Sequence, residues 1–328
     1  SALVCFDLVF HFHGFEHNNA LSGFNCLTHF DENLDDCSLH WHGDLAASAT
    51  GATGEVVIVH AAFYPLEFLA KTIGGDQIQV ISLTVPGAEP HDMELTPVQV
   101  AELEKTSLAL FIDGFMPAVD EAIESSVPDR ALDLGTTVTL LEGGAHSDEE
   151  GHSDEEAHSD EEAATEDDHG HGAYDPHIWL DPANMVLMAN AVSDRLIAID
   201  PARSDFYTAN TAALVAELEA LDQEFTTGLA NCEQKEIVTS HDAFGYLANA
   251  YGFEQHGIAG LSPESEPSPA RLAEISEMVK AEGITTIYYE TLVSPAIAET
   301  VANETGAKII QASTSEVYGD PSQSPQKE

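Results

Sequence analysis

Three histidines stand apart from the others in this chain by their surroundings. His91 lies in PGAEPHDMELTP, His177 in DPHIWLDP and His241 in TSHDAFGYLANAYG. Each sits just after a strand-like run or a capped turn. Neutral imidazole suits Zn²⁺, which favours nitrogen and sulfur donors, whereas a Mn²⁺ or Mg²⁺ centre calls for more carboxylate. A fourth donor is either Glu290 of IYYETLVSP, again at a strand end, or water. A second concentration of donors reads HSDEEGHSDEEAHSDEE and continues into TEDDHGHG, with His146, His152, His158, His169 and His171. Its composition forbids a packed core, so residues 143–173 are expected to form a disordered loop. Such a tract either solvates the surface or captures cations weakly, and it does not itself decide between the two.

The elements that must position these side chains begin at Glu55. EVVIV, QIQVISLT, LALFID and TTVTLLE read as strands, and PLEFLAKTIGG, TPVQVAELEKT and PAVDEAIESS as the intervening helices. Thr96, Pro97 and Gln99 form a capping box with proline at the first helical position. After the donor-rich tract, Asp181 and Pro182 open a helix to about Ile199, and a second long helical stretch follows Pro201. Strand and helix then alternate again through EIVTS, AFGYLANAY, FEQHGIAG, ARLAEISEMVKAEG, ITTIYYE, PAIAETVANETG and AKIIQ. This predicts an α/β protein of two lobes, each a mostly parallel sheet flanked by helices, joined by a long rigid helix. Ligands of open α/β sheets bind beyond the carboxyl ends of the strands. The three histidines are therefore expected to meet in a cleft between the lobes. The expected divisions are an atypical extension at 1–54, a first lobe at 55–142, the loop at 143–173, a metal motif and linking helix at 174–200, a second lobe at 201–310 and an atypical tail at 311–328.

Charge narrows the function classes. There are 58 Asp and Glu against 10 Lys and Arg, a formal net charge of −48. The donor-rich tract holds 12 of these acids, so the rest of the surface is acidic too. Phosphate binding needs clustered bases, which excludes nucleic acid as a partner, while cations are drawn into such a field. Four cysteines without CxxC spacing do not indicate a disulfide framework, and Cys232 reads as a buried thiol. His60 and His256 lie in strand-like text and read as structural. No run of 18 apolar residues is present, so no membrane span is expected.

Over residues 55–308 the text resembles the zinc-binding solute-binding proteins of bacterial ABC importers, the zinc branch of cluster A-I. The resemblance rests on FYPLEFLAKTIGGD, PGAEPHDMELTP, DPHIWLDP, SHDAFGYLANAYG, GIAGLSPESEPSP and ANETGAK. It implies that His91, His177 and His241 are the metal ligands. In manganese-binding relatives the position of His241 is typically Glu, and an Asp follows the last ligand strand; here that strand leads into Ser294. The zinc branch also often carries a His- and acid-rich insert before DPHxW, where the tract stands. The resemblance thus implies a monomeric, non-catalytic protein in the periplasm or at the outer face of the cell membrane, with or without a lipid anchor on the native precursor. It would deliver Zn²⁺ to the membrane permease of an importer, with the tract as a loose collector. A surface adhesin of the same fold and a zinc hydrolase with a three-histidine centre are the alternatives. In the hydrolase Glu290 would serve as base, although no HExxH motif is present.

Two regions depart from that pattern. Residues 1–50 carry aromatics and histidines without periodicity, and Val4 before Cys5 makes a weak acylation signal. The stretch TSEVYGDP near the end resembles nucleotide-sugar epimerases, but the Gly-rich loop and Tyr-x-x-x-Lys of that family are missing. Both ends are read as extensions or chimeric junctions.

Overall fold

The computed structural model describes residues 56–143, 174–290 and 293–312. The N-terminal stretch, the tract with His146, His152, His158, His169 and His171, and the tail beyond 312 lie outside them. The first sheet consists of β1 (Val57–Ala61), β2 (Ile78–Ser82), β3 (Leu108–Phe111) and β4 (Ala131–Asp133), in the spatial order β2-β1-β3-β4. The second consists of β5 (Glu236–Thr239), β6 (Glu254–Gly257), β7 (Thr286–Glu290) and β8 (Lys308–Ala312), in the order β6-β5-β7-β8. Every pairing in both sheets is parallel. Each sheet therefore steps outward once and returns across its first strand, which opens a crevice at the carboxyl ends on either side of β1 and β5.

Parallel strands need helices on their faces, and short sequence signals start and stop them here. The first lobe carries α1 (Tyr64–Gly74), α2 (Pro97–Leu103) and α3 (Pro117–Ser126). Then come α4 (Pro182–Ile199) and α5 (Ser204–Leu229), and the second lobe adds α6 (Gly245–Tyr251), α7 (Pro269–Ala281) and α8 (Ala296–Thr305). Proline occupies the first or second position of α1, α2, α3, α4 and α7, where its missing N–H would have had no partner in any case. The Thr96–Gln99 capping box forms as its sequence requires. Gly252 and Gly306 end α6 and α8 with φ of 71° and 81°, a conformation that costs a side-chain-bearing residue free energy.

The buried face of α4, with Met185, Met188, Ala189, Val192 and Leu196, packs into the first core. Helix α5 crosses between lobes. Tyr207, Leu214 and Leu218 belong to the first core, and Phe225 and Leu229 to the second. Its 26 residues span about 39 Å at 1.5 Å per residue. No helix among the described residues is long and apolar enough to cross a membrane.

Three expectations are corrected. The helix that runs between the lobes is α5 and not the helix within 174–200, whose buried face lies in the first core. The fourth strand of the first sheet is Ala131–Asp133 and not the later run TTVTLLE. The Asp133 carboxylate accepts from Gly135 N–H at 2.8 Å and starts a 3₁₀ turn, Leu134–Thr137, which takes the chain off the sheet. Cys232 is buried, as expected, but it is disulfide-bonded and not a free thiol, with the other half of the bond outside the described residues.

His60 sits in the middle of β1 at 1% exposure, and neither ring nitrogen has a hydrogen-bond partner. Burial lowers its pKa from 6.5, with the charge of Glu102 opposing weakly. The unfolded chain takes up this proton as pH falls through about 6.5 while the folded chain resists, so acid favours unfolding at this residue. His60→Leu should stabilise the fold by about 1–3 kcal/mol. The gain should be larger at pH 5 than at pH 8 in thermal melts at both pH values, and an equal gain at both would mean that the ring is not held neutral by burial.

Candidate metal centre

Loops that follow β2 and β5 and the segment that leads into α4 bring His91, His241 and His177 together. His91 lies between β2 and α2, in a loop whose far end is anchored when Gln99 Nε2 donates to the Leu83 carbonyl at 2.8 Å. His177 precedes a 3₁₀ turn, Ile178–Leu180, that leads into α4. His241 follows β5, and its carbonyl accepts from Thr239 Oγ1 at 2.7 Å and Gln255 Nε2 at 3.0 Å. The ring centroids are 5.3 Å apart for His91 and His177, 5.8 Å for His91 and His241, and 5.4 Å for His177 and His241. One donor atom from each ring lies within 4.8 Å of those of the others, close enough for all three to reach one ion.

The outer ring nitrogens are braced by carboxylates. His91 Nδ1 is 2.6 Å from Glu89 Oε1, and His177 Nδ1 is 2.7 Å from Asp175 Oδ1. In each case the same carboxylate oxygen also accepts the backbone N–H of its histidine, at 3.3 Å and 2.9 Å. A carboxylate on Nδ1 fixes ring orientation and tautomer and makes the opposite nitrogen a stronger donor to metal. His91 Nε2 and His177 Nε2 are accordingly buried with no hydrogen-bond partner. His241 has neither nitrogen hydrogen-bonded; its Nδ1 lies 3.2 Å from Glu290 Oε1, close enough for charge attraction but without hydrogen-bond alignment. Glu290 is itself buried at the end of β7, where Ser240 Oγ donates to Oε2 and leaves Oε1 unpartnered. It adjoins His241 but stands outside the set of mutually close donor atoms.

An aromatic wall backs the cluster. The Phe115 ring is 4.7 Å from that of His91, and the Trp179 ring is 5.3 Å from that of His177. Phe115 and Trp179 pack on each other and both pack on Phe63. Burial against this wall pushes the pKa of His177 down to about 4, against the upward pull of Asp175, with His241 and His91 lowering it further. Burial alone would raise Glu89, but the hydrogen bond and charge of His91 carry it below its ordinary value. His256 behaves differently. Its Nε2 is already engaged by Glu236 Oε2 at 2.5 Å, on the β5–β6 pair.

The bracing acids were not singled out in the sequence, although a signal was there. Glu89-Pro90-His91 and Asp175-Pro176-His177 are the same acid-proline-histidine tripeptide. Proline holds φ near −65° and has no N–H of its own, so the acid two residues before the ring folds back onto it. Phe115 carried no comparable signal.

A pair of parallel sheets bridged by one long helix, with three histidines clustered together, defines a two-lobed, helix-linked α/β protein. The family model described as "ZnuA: Zinc-uptake complex component A periplasmic" matches residues 59–328, and the chain belongs to that family. The match includes the tail read as atypical. The zinc-binding lipoprotein AdcA of Streptococcus pneumoniae is 35% identical over 265 residues, 78% of this chain and 49% of that protein. The chain thus spans about half the length of the AdcA relatives. The high-affinity zinc uptake system protein ZnuA of Bacillus subtilis is 36% identical over 258 residues, 78% of this chain and 77% of that one. The laminin binding protein Lmb of Streptococcus agalactiae, described as bifunctional with adhesin and metal transporting activity, superposes with a TM-score of 0.67 at 29% identity over 82% of this chain and 93% of its own.

In the metal-free protein, the ring protons of His177 should titrate with a midpoint near 4 by NMR. A midpoint near that of free imidazole would show that the ring is solvated and not held as a ready neutral donor.

Proposed function

We propose that this chain binds Zn²⁺ tightly outside the cytoplasm and hands it to the membrane permease of an ABC-type importer, acting as a monomer and without catalysis. One observation carries the reading. Three imidazoles from both lobes converge with buried, unpartnered ring nitrogens, and an acid stands against Nδ1 of each. A buried donor or acceptor left without a partner costs free energy, and a bound cation removes that cost. His91, His177 and His241 are the ligands in this reading. Glu290, with Oε1 unpartnered beside His241, is the carboxylate at hand to complete a tetrahedral set. Imidazole-rich coordination favours Zn²⁺ over Mn²⁺. His146, His152, His158, His169 and His171, with the acids around them, supply further weak sites in the same reading.

The setting agrees. The family is described as periplasmic, and relatives are named zinc-binding lipoproteins. The disulfide at Cys232 suits an oxidising compartment. A lipid anchor on the native precursor belongs to the same proposal. The net charge of −48 draws cations and repels nucleic acid. A second role as a surface adhesin is favoured by the likeness to Lmb and uses the same fold.

Titration against competing chelators tests the centre. His91→Ala, His177→Ala and His241→Ala should each weaken zinc binding about tenfold or more, since only water can fill the place of a lost ligand. Zn²⁺ should outcompete Mn²⁺ by several orders of magnitude. Wild-type affinity in all three variants, or equal affinity for the two metals, would mean that the ligands are misassigned. Deleting residues 146–171 should lower the zinc stoichiometry and leave the tight site unchanged; loss of the tight site would place a ligand within that stretch.

A further inference from the structure

The Tyr246 hydroxyl makes two hydrogen bonds that the metal-binding reading does not use. It donates to the Asp175 carbonyl at 2.8 Å and accepts from Leu141 N–H at 3.0 Å. Leu141 and Asp175 also pair directly, Asp175 N–H donating to the Leu141 carbonyl at 2.9 Å, and Glu142 bridges Tyr174 beside them. Tyr246 belongs to α6 of the second lobe, yet its ring is buried in the core of the first. The neighbouring Gly245 presses on the same target, since a Cβ there would stand 2.5 Å from Asp175 Oδ2. Asp175 is the residue whose Oδ1 holds both the backbone and the ring of His177. The helix that carries Tyr246 also starts shortly after His241.

We propose that Tyr246 is a positioning residue: through Asp175 it locks the His177 imidazole of the first lobe against the lobe that carries His241, so that the ligand set is assembled before metal arrives. The proposal rests on the reading of His91, His177 and His241 as ligands. Its physical basis is preorganisation. Two rings from different lobes are joined by a route that does not pass through the ion, so their ordering cost is met in folding and not in binding. Burial raises the Tyr246 phenol to about 12, with Asp175 adding to the rise and the Leu141 N–H opposing it, so the group remains a hydrogen-bond donor throughout the physiological range. A side chain at position 245 would meet Asp175 Oδ2, so the carboxylate that braces the ring would have to shift.

A double-mutant cycle on the full-length chain, read as zinc affinity by chelator competition and as zinc dissociation rate, tests this. Tyr246→Phe keeps the ring and removes both hydrogen bonds; it should weaken zinc about 10- to 100-fold, the range for groups that orient metal ligands. Gly245→Ala should act in the same direction, which gives a second variant should the first fold poorly. In a His177→Ala background Tyr246→Phe should add less than about twofold, whereas in a His91→Ala background it should retain its full effect. A purely structural tyrosine would lower affinity by the same factor in both backgrounds, and that result overturns the proposal. So does wild-type affinity in both Tyr246→Phe and Gly245→Ala while His177→Ala loses zinc, an outcome that leaves the ligand assignment standing. If His177→Ala itself binds zinc as the wild type does, the ligand assignment and the proposal fall together.

Discussion

The interaction on which the site depends is the carboxylate–imidazole pair. A histidine buried among Phe63, Phe115 and Trp179 is kept neutral by desolvation, but a neutral ring has two nitrogens and is free to choose a tautomer. Glu89 and Asp175 remove that choice by accepting from Nδ1, which leaves Nε2 as a lone-pair donor with nothing else in reach. The sheets serve this arrangement. The carboxyl ends of β2 and β5 lead into the loops that carry His91 and His241. The acids also keep the centre from being a simple hydrophobic pocket, in which the ion itself would be poorly solvated.

The third histidine is wired differently from the first two. His91 and His177 take their acids from two residues upstream, through a proline, so each acid-ring unit is complete within a tripeptide. His241 takes its acid from another strand: Glu290 closes β7, which pairs with β5 immediately before the ring. Ser240, next to His241 in the chain, holds that carboxylate from the other side. Local pairing survives small shifts between elements, whereas the His241–Glu290 pair exists only if β5 and β7 keep their register.

This difference also explains what the sequence allowed to be read. The alternation of strand and helix, the capping box at Thr96, the Asp181 cap and the proline-led helix starts are all local signals, and the elements stand where those signals put them. The three histidines were legible because His91 and His241 follow strands and His177 stands just before the Asp181 cap. Strand β4 was misplaced because Val138, Leu140 and Leu141 have strand-like composition, while the cap made by Asp133 is a single side-chain hydrogen bond with no periodicity to announce it. The Cys232 disulfide was missed because spacing along the chain carries no information about a partner so remote. Phe115 was missed for a related reason: an aromatic residue in a loop reads the same whether it lines a centre or fills a core. The Tyr246 contacts depend on how α6 lies against residues 71 and 105 positions earlier, which no pattern within α6 specifies.

Helix α5 has a consequence for how the molecule comes apart. Because its first half is buried in one core and its last turns in the other, neither lobe can lose its packing without exposing apolar surface of a helix that the other lobe still needs. Sharing this helix couples the unfolding of the two lobes. An ion held between them would stabilise both lobes by mass action, to the extent that it binds the folded state alone. Such an ion would then also shield the two lobes from proteases, which cut opened states, because it lowers the population of the opened form.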